Sequence, residues 1–454
     1  DRYLARARDQ AEQRKFQQAI QDYQKFLLLF PGDEDNETAA RELSLTRVRS
    51  QLEIGVPDWS GGLEELKALI NQHRDAENFA ELHPEISRFA ADIAISACEE
   101  AAKQRAAQSR SGESQQNTTE SETLFRLSDE ALRLVELYTS NEEYLERIRS
   151  DVKTARREAE ATILKLDVFD EAIDEMEREL KEGNPSSVME TRRELIVRYS
   201  EAESDPRFTK LLDQALALDR DSVQRSQEPQ DSLPLTSAEW GRILSLTSSI
   251  RNNKEELASG RAVIVQAADC LYGVDDKTGE PIWRQIVGWR LPFAPVEITA
   301  REPALFLYST HSQEIQLLAR DTGQLIWRQA CSEEAAGGPQ IVGTSAYLTT
   351  RRGRLLKIDL SSGRIDSQLT ISQPFSTAPL VIPARKQLLA VGERDVVYLF
   401  SMNPLQIEDV VYLGHGVGTI SAPPLRMAGY VMLAENDRSN ACRLRIFDTQ
   451  SESA

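Results

Sequence analysis

Residues Leu271 to Arg284 read LYGVDDKTGEPIWR, and the chain repeats them. Gln316 to Arg328 read QLLARDTGQLIWR, and Leu355 onward reads LLKIDLSSGRIDS. The turn glycines Gly279, Gly323 and Gly363 fall 44 and 40 residues apart. Self-similarity at about 40–45 residues, with short strands and a turn in each unit, marks a β-propeller blade. The physics of one unit is readable. An apolar strand ends at Asp275 or Asp359, a Thr-Gly or Ser-Gly turn follows, and a second strand begins. Glycine supplies the positive φ that such a turn requires. Trp283 and Trp327 stand four residues past their glycines, where a large ring can fill the wedge between neighbouring blades.

The Asp-x-x-Thr-Gly-x-x-x-Trp pattern resembles the pyrroloquinoline-quinone-like (PQQ-like) propeller repeat over about residues 245–454. That family holds quinoprotein dehydrogenases and non-enzymatic propellers such as an outer-membrane assembly lipoprotein. The resemblance implies a propeller and does not imply a bound quinone. Ser367 replaces Trp in the third copy, and later units lose the motif. Dividing by the repeat places blades near 245–289, 290–333, 334–373 and 374–413, with an unfinished unit at 414–454. Apolar runs such as ALFLY at 304–308 and VVYLF at 396–400 are near-continuous, as expected for strands covered on both faces. The last unit stops after ACRLRIFD, before an outer strand, so either an earlier segment supplies the missing strand or, the favoured expectation, a propeller of about four to five blades is truncated at the C-terminus.

The N-terminal half differs. DRYLARARDQAEQRKFQQAIQDYQKFLLLFP reads as a helical hairpin. Tyr3, Ala7, Phe16, Ala19, Tyr23, Leu27 and Pro31 fall where a tetratricopeptide unit places its bulky, small and terminating residues, so the stretch resembles one such unit. Arg6 and Phe26 depart from the motif, which prefers Leu and Ala there. Helical patterns continue at about 36–54, 60–74, 84–108, 122–139, 141–165, 168–182, 185–200 and 206–223, the acidic 141–182 stretch reading as a long antiparallel helical pair. Ser140-x-x-Glu143 reads as a capping box, and Asn184-Pro185 and Asp205-Pro206 as helix starts. Helix after helix with short breaks points to an α-solenoid or a set of irregular helical hairpins. The expected fold is therefore multidomain, α then β: a tetratricopeptide-like domain at 1–223 with a mobile loop at 108–121, a linker at 224–244, and a PQQ-like β-propeller at 245–454.

Charge follows the same division. Residues 1–230 hold 32 Lys and Arg against 49 Asp and Glu, a net −17, whereas 231–454 hold 22 against 24. A half this acidic argues against a phosphate-backbone partner, and no nucleic acid is expected. No apolar run approaches the length of a membrane-spanning helix. Cys98, Cys270, Cys331 and Cys442 are far apart and read as core thiols, with a Cys270–Cys331 or Cys331–Cys442 bridge left open.

Chemistry leaves few local signals. His73, His83, His311 and His415 show no metal spacing. Gly414, Gly416 and Gly418 form a GxGxG string in LGHGVGT, but TISAPPL follows where a phosphate-binding helix would start, so the string reads as a loop between blades. Trp283 and Trp327 belong to the structural motif, and no adjacent cysteine pair stands for a quinoprotein site. The reading assigns no catalytic, cofactor-binding or metal-ligating residue, expects no cofactor, and expects a non-enzymatic scaffold with protein partners. The resemblance favours the bacterial cell envelope or periplasm. The alternative is part of a quinoprotein dehydrogenase or a receptor-like kinase sensor whose active residues lie outside this chain.

Overall fold

The computed structural model describes residues 2–111, 118–235, 262–299, 302–437 and 441–449. Among these, nine α-helices precede nineteen strands, apart from short 3₁₀ turns. The chain divides into two compact units, Asp1–Ala172 and Ile173–Ala454.

In the first unit, α1 (Arg2–Glu12) and α2 (Phe16–Leu29) form the expected hairpin. Ala7 and Ala19 are fully buried, and with Leu4, Tyr23 and Phe26 they meet Ala39 and Leu43 of α3 (Asn36–Leu52). Small residues let the helices approach, and the rings fill the space that remains. The two departures from the motif are absorbed locally. Phe26 enters this core, and Arg6 forms a bidentate pair with the buried Asp22 of α2. A second core joins α3, α4 (Trp59–His73), α5 (His83–Ser111), α6 (Thr118–Tyr138) and the start of α7 (Glu142–Glu182).

Three sequence expectations need correction here. The 141–182 stretch is one 41-residue helix, not an antiparallel pair. It holds neither Pro nor Gly, so nothing interrupts its hydrogen-bond ladder. Its N-cap is Asn141, whose Oδ1 accepts from the Tyr144 amide at 3.1 Å, one residue past the expected Ser140. The loop at 108–121 is shorter than expected, because α5 runs through Ser111 and α6 starts at Thr118; residues 112–117 lie outside the described residues.

The second unit begins inside α7 and continues through α8 (Pro185–Arg198) and α9 (Pro206–Asp221). Both start on Pro at the first turn, as expected, and the Asp205 side chain accepts from the Arg207 amide at 2.9 Å. The expected linker starts as a strand instead. β1 (Gln224–Ser226) pairs antiparallel with β12 (Ile365–Thr370), and the chain then bridges Gln230 to Ile365 and Leu233 to Arg328. Free backbone groups on outer strands recruit this polar, Pro-punctuated segment. Residues 236–261, the rest of the linker and the first part of the expected first blade, lie outside the described residues.

Five antiparallel sheets follow. The first is β2 (Ala262–Ala267), β3 (Cys270–Asp275) and β4 (Pro281–Ile286). The second is β5 (Val296–Thr299), β6 (Pro303–Ser309), β7 (Glu314–Ala319) and β8 (Leu325–Ala330). The third is β9 (Gln340–Val342), β10 (Ser345–Thr349), β11 (Arg354–Asp359) and β12, with β1 on its edge. The fourth is β13 (Leu380–Ile382), β14 (Gln387–Val391), β15 (Val396–Met402) and β16 (Leu405–Tyr412). The fifth is β17 (Leu425–Met427), β18 (Tyr430–Asp437) and β19 (Ala441–Asp448). A register shift falls at the same point of the first four sheets, between the last two strands of each in chain order, after Gly273, Leu317, Lys357 and Leu399. This is an incomplete propeller-like array: among the described residues, no sheet closes the first onto the fifth.

The motif's two signature residues meet across the joints. Trp283 of the first sheet lies on Gly323 of the second, and Trp327 of the second lies on Gly363 of the third. A Cβ on either glycine would stand 2.5 Å from ring carbons. Each indole N–H donates to the carbonyl three residues before that glycine, Arg320 at 3.0 Å and Leu360 at 2.8 Å. The glycine is thus required twice, for its left-handed turn and for the room it leaves.

Candidate functional site

Titratable groups converge where α8 and α9 lie against the third and fourth sheets. The repeat itself builds the platform. The residue after each outer strand, Val287, Cys331, Ile371 or Leu413, donates its amide to a residue in its sheet's central hairpin, Asp269, Gln313, Gly353 or Asp395. Gln313, Gly353 and Asp395 have φ of +54°, +78° and +62°. Asp tolerates that conformation better than most residues, which explains how a carboxylate comes to stand at this point of the fourth sheet.

Asp395 is 1% exposed, and its surroundings are mixed. Arg193 of α8 donates to Asp395 Oδ1 at 2.7 Å and to the His415 carbonyl at 3.3 Å. Arg394 reaches back to Glu190 of α8 at 2.9 Å, and the Arg192 guanidinium lies 5.2 Å from the centre of the Tyr412 ring. Burial outweighs the attraction of Arg193 and pushes the Asp395 carboxyl up to about 6. His415, fully buried in the LGHGVGT loop, engages the Gly392 carbonyl through Nε2 at 3.1 Å. Burial lowers its imidazole to about 4, so it is neutral at pH 7. Among the described residues, Asp395 Oδ2 and His415 Nδ1 are buried without a partner. Such groups cost stability and are rare in folded proteins.

A second buried carboxylate anchors α9. Asp219 is fully buried and accepts from Ser372 Oγ at 2.6 Å and from Tyr398 OH at 2.7 Å. Gln373 Nε2 donates to Tyr398 OH at 3.0 Å, and Gln373 Oε1 accepts the Arg394 amide at 3.1 Å. Burial raises the Asp219 carboxyl above its usual range despite the two hydroxyl donors. Both clusters hold helices onto sheets: each carboxylate is met by a donor from the neighbouring element, and neither carboxylate opens to solvent. Their chemistry is that of a clamp.

Open surface lies elsewhere, on the array's two ends. The fifth sheet buries Val431 and Leu433 against Ile382, Leu389, Val391 and Val397 of the fourth. Its other face presents Leu425, Met427, Tyr430, Leu444 and Ile446, each 48–61% exposed. The strand register brings Leu425 level with Met432 and Ile446, and Met427 level with Tyr430. The first sheet packs Leu271 and Trp283 onto the second and leaves Val263, Val265 and Ile286 exposed on its opposite face.

The sequence reading singled out His415 as a loop residue, and it is one. It missed Asp219, Arg193 and Asp395. Asp219 carried a usable signal: Phe208, Leu211, Leu212 and Ala215 form the buried stripe of α9, and Asp219 continues it at i+4. Asp395 carried none, since its role depends on a helix two hundred residues away. The structure also corrects the cysteine reading. Cys98, Cys270 and Cys331 are free and buried, but Cys442 is free and exposed. No group of three or more His, Cys, Asp or Glu among the described residues could hold a metal ion.

Comparison with known proteins places the repeat in a family context. Residues 311–403, from the central hairpin of the second sheet into the fourth, match a PQQ-type family model described as outer membrane protein assembly factor BamB. Similar solved structures include BamB from Moraxella catarrhalis, at 16% identity and a TM-score of 0.34 over 42% of this chain and 59% of that one. The computationally designed Ika8 protein is 11% identical, with a TM-score of 0.33 over 41% and 55%. BBS1N, solved in complex with ARL6DN, is 14% identical, with a TM-score of 0.31 over 41% and 60%. The chain thus spans under two thirds of each of these structures. No curated protein matches it. The match to the PQQ-type repeat model lies in the second, third and fourth sheets.

Proposed function

We propose that this chain is a non-enzymatic protein–protein interaction scaffold of the bacterial cell envelope, combining helical repeats with a PQQ-like sheet array. The observation that carries the reading is the fifth sheet. One face is buried on its neighbour, and the other offers five large apolar side chains to solvent. Soluble proteins keep contiguous apolar patches small unless something binds there. The envelope assignment rests on the description of the matched family model. The buried carboxylates support the same reading, because they hold α8 and α9 in place.

The test pairs a surface variant with an activity control. The double variant Leu444→Asp, Ile446→Asp changes only exposed positions and should keep the circular dichroism spectrum. Affinity purification from the source cells should give a stoichiometric protein partner with the unaltered chain and lose it with the variant. One-to-one binding of pyrroloquinoline quinone with calcium, or dye-linked substrate oxidation, would overturn the scaffold reading.

A further inference from the structure

Three turn glycines in this chain share one geometry, and two of them share an occupant. Gly279, Gly323 and Gly363 have φ of +73°, +65° and +75°. In each, the glycine amide donates to the carbonyl four residues earlier, on Asp275, Ala319 or Asp359, at 2.8–2.9 Å. Gly323 and Gly363 each receive the tryptophan of the preceding sheet. Around Gly279, no heavy atom of the described residues lies within 4 Å of the Cβ position. The homologous carbonyl, three residues earlier, belongs to Asp276. The sheet face beside this turn is apolar and open, with Val263, Val265 and Ile286 on the side away from Leu271 and Trp283.

We propose that this open face of the first sheet docks a blade-type β-sheet of a partner protein. The partner's outer strand seats a tryptophan on Gly279 and directs its indole N–H to the Asp276 carbonyl. The inference rests on the scaffold reading and names the surface and the chemistry of one partner. Its template is internal: the same interface occurs twice within the chain, at Trp283 on Gly323 and Trp327 on Gly363, with the same hydrogen bond each time. A tryptophan fits because it covers a large apolar area and carries a donor at its rim. The exposed turn adds Asp276 and Glu280 against Lys277, so a basic residue beside the partner's tryptophan is favoured.

The test uses the full chain and a defined probe. A backbone-cyclised, fluorescein-labelled peptide of residues 313–330, QEIQLLARDTGQLIWRQA, presents the required hairpin with its own turn glycine and tryptophan. Cyclisation is needed because an isolated hairpin is marginal in water. Fluorescence anisotropy should show saturable binding, weakened at least about ten-fold when the peptide carries Trp327→Ala, a loss in proportion to a buried anchor residue. Two chain variants should weaken it similarly. Gly279→Asn keeps the left-handed turn but fills the slot, and Val265→Lys charges the open face. Absence of binding overturns the proposal, as does equal binding of both peptides or indifference to both chain variants. Concentration-dependent self-association lost in Gly279→Asn overturns it in favour of a second copy. None of these outcomes touches the fifth-sheet face, so failure here is separable from failure of the scaffold reading.

Discussion

Trp283 and Trp327 close the first two joints of the sheet array, whereas Tyr347 and Lys357 close the third. The contrast is sharpest along one cross-strand row. In the first sheet that row reads Ile264, Gly273, Trp283, and in the second Phe306, Leu317, Trp327. In the third it reads Tyr347, Lys357, Ser367. The large ring has moved from the last residue of the row to the first. Its target is again a backbone carbonyl at the next sheet's outer hairpin: Tyr347 OH and Lys357 Nζ each reach the Met402 carbonyl at 3.5 Å, and Lys357 Nζ meets Asn403 Oδ1 at 2.5 Å. The joint is preserved as a row of side chains and a carbonyl. The residue that fills it is interchangeable, and Ser367 is therefore compatible with a docked sheet.

The comparison breaks most visibly at Trp327. The ring is 3% exposed, packs edge-on against Phe306 at 6.0 Å between ring centres, and covers Gly363. Trp327→Ala should cost about 3–5 kcal/mol, the range for removing a large buried aromatic. Urea unfolding of the full chain, followed by far-ultraviolet circular dichroism, reads this as a lowered midpoint. A cost below about 1 kcal/mol, the level of surface substitutions, would mean that the indole does not support the joint.

The uneven legibility of this chain follows from the same physics. Gly279, Gly323, Gly363 and the two tryptophans were readable because local backbone geometry and a contact at constant sequence spacing both demand them. Ala7, Ala19 and Tyr23 were readable for the same reason, since one helical hairpin fixes their spacing. The third joint was not: a tyrosine within an apolar strand has many uses, and only the register assigns Tyr347 to Met402. The clamp was least legible. Asp395 and Arg193 are 202 residues apart in sequence, and the boundary drawn from composition at 224–244 separated them. Charge changes near that point, yet α8 and α9 belong to the same compact unit as the sheets. Composition reports what a surface exposes, and the pairs that attach these helices are buried.

A pH titration sharpens the contrast between the neutral joints and the charged clamp. Asp395 has its carboxyl raised to about 6, so its stabilising contribution is full below its ordinary value near 4 and is lost as pH rises through 6. His415 has its imidazole lowered to about 4, so its contribution is full above 6.5 and is lost as pH falls through 4. Between pH 4 and 6.5 the two oppose each other. A tenfold change in proton affinity corresponds to about 1.4 kcal/mol, so each group contributes about 3 kcal/mol and the two nearly cancel. Asp395→Asn should unmask His415, with the urea midpoint falling as pH drops from 7 to 4.5. Replacing His415 with Gln should unmask Asp395 and reverse the slope. Equal slopes in the two variants would rule out this assignment.

The smallest expected effect sits in the third joint and separates its two contacts. Tyr347 is 2% exposed, and its ring lies 6.0 Å from Lys357 Nζ. Tyr347→Phe keeps the ring and removes only a long hydrogen bond to the Met402 carbonyl, so it should cost about 0.5–1.5 kcal/mol. Lys357→Met keeps much of the stem and removes the ammonium, losing a contact over the ring of about 0.5–1 kcal/mol and the bonds to Met402 and Asn403. Both donors share one acceptor, so the two losses should not add. With either donor gone, the carbonyl keeps the other; with both gone, it is left unpaired against a closely packed joint. The double variant should therefore cost more than the sum of the singles, by about 0.5 kcal/mol or more, measured in a double-mutant cycle by urea unfolding. Strict additivity would show that Tyr347 and Lys357 act separately, and that the third joint is held by its apolar contacts alone.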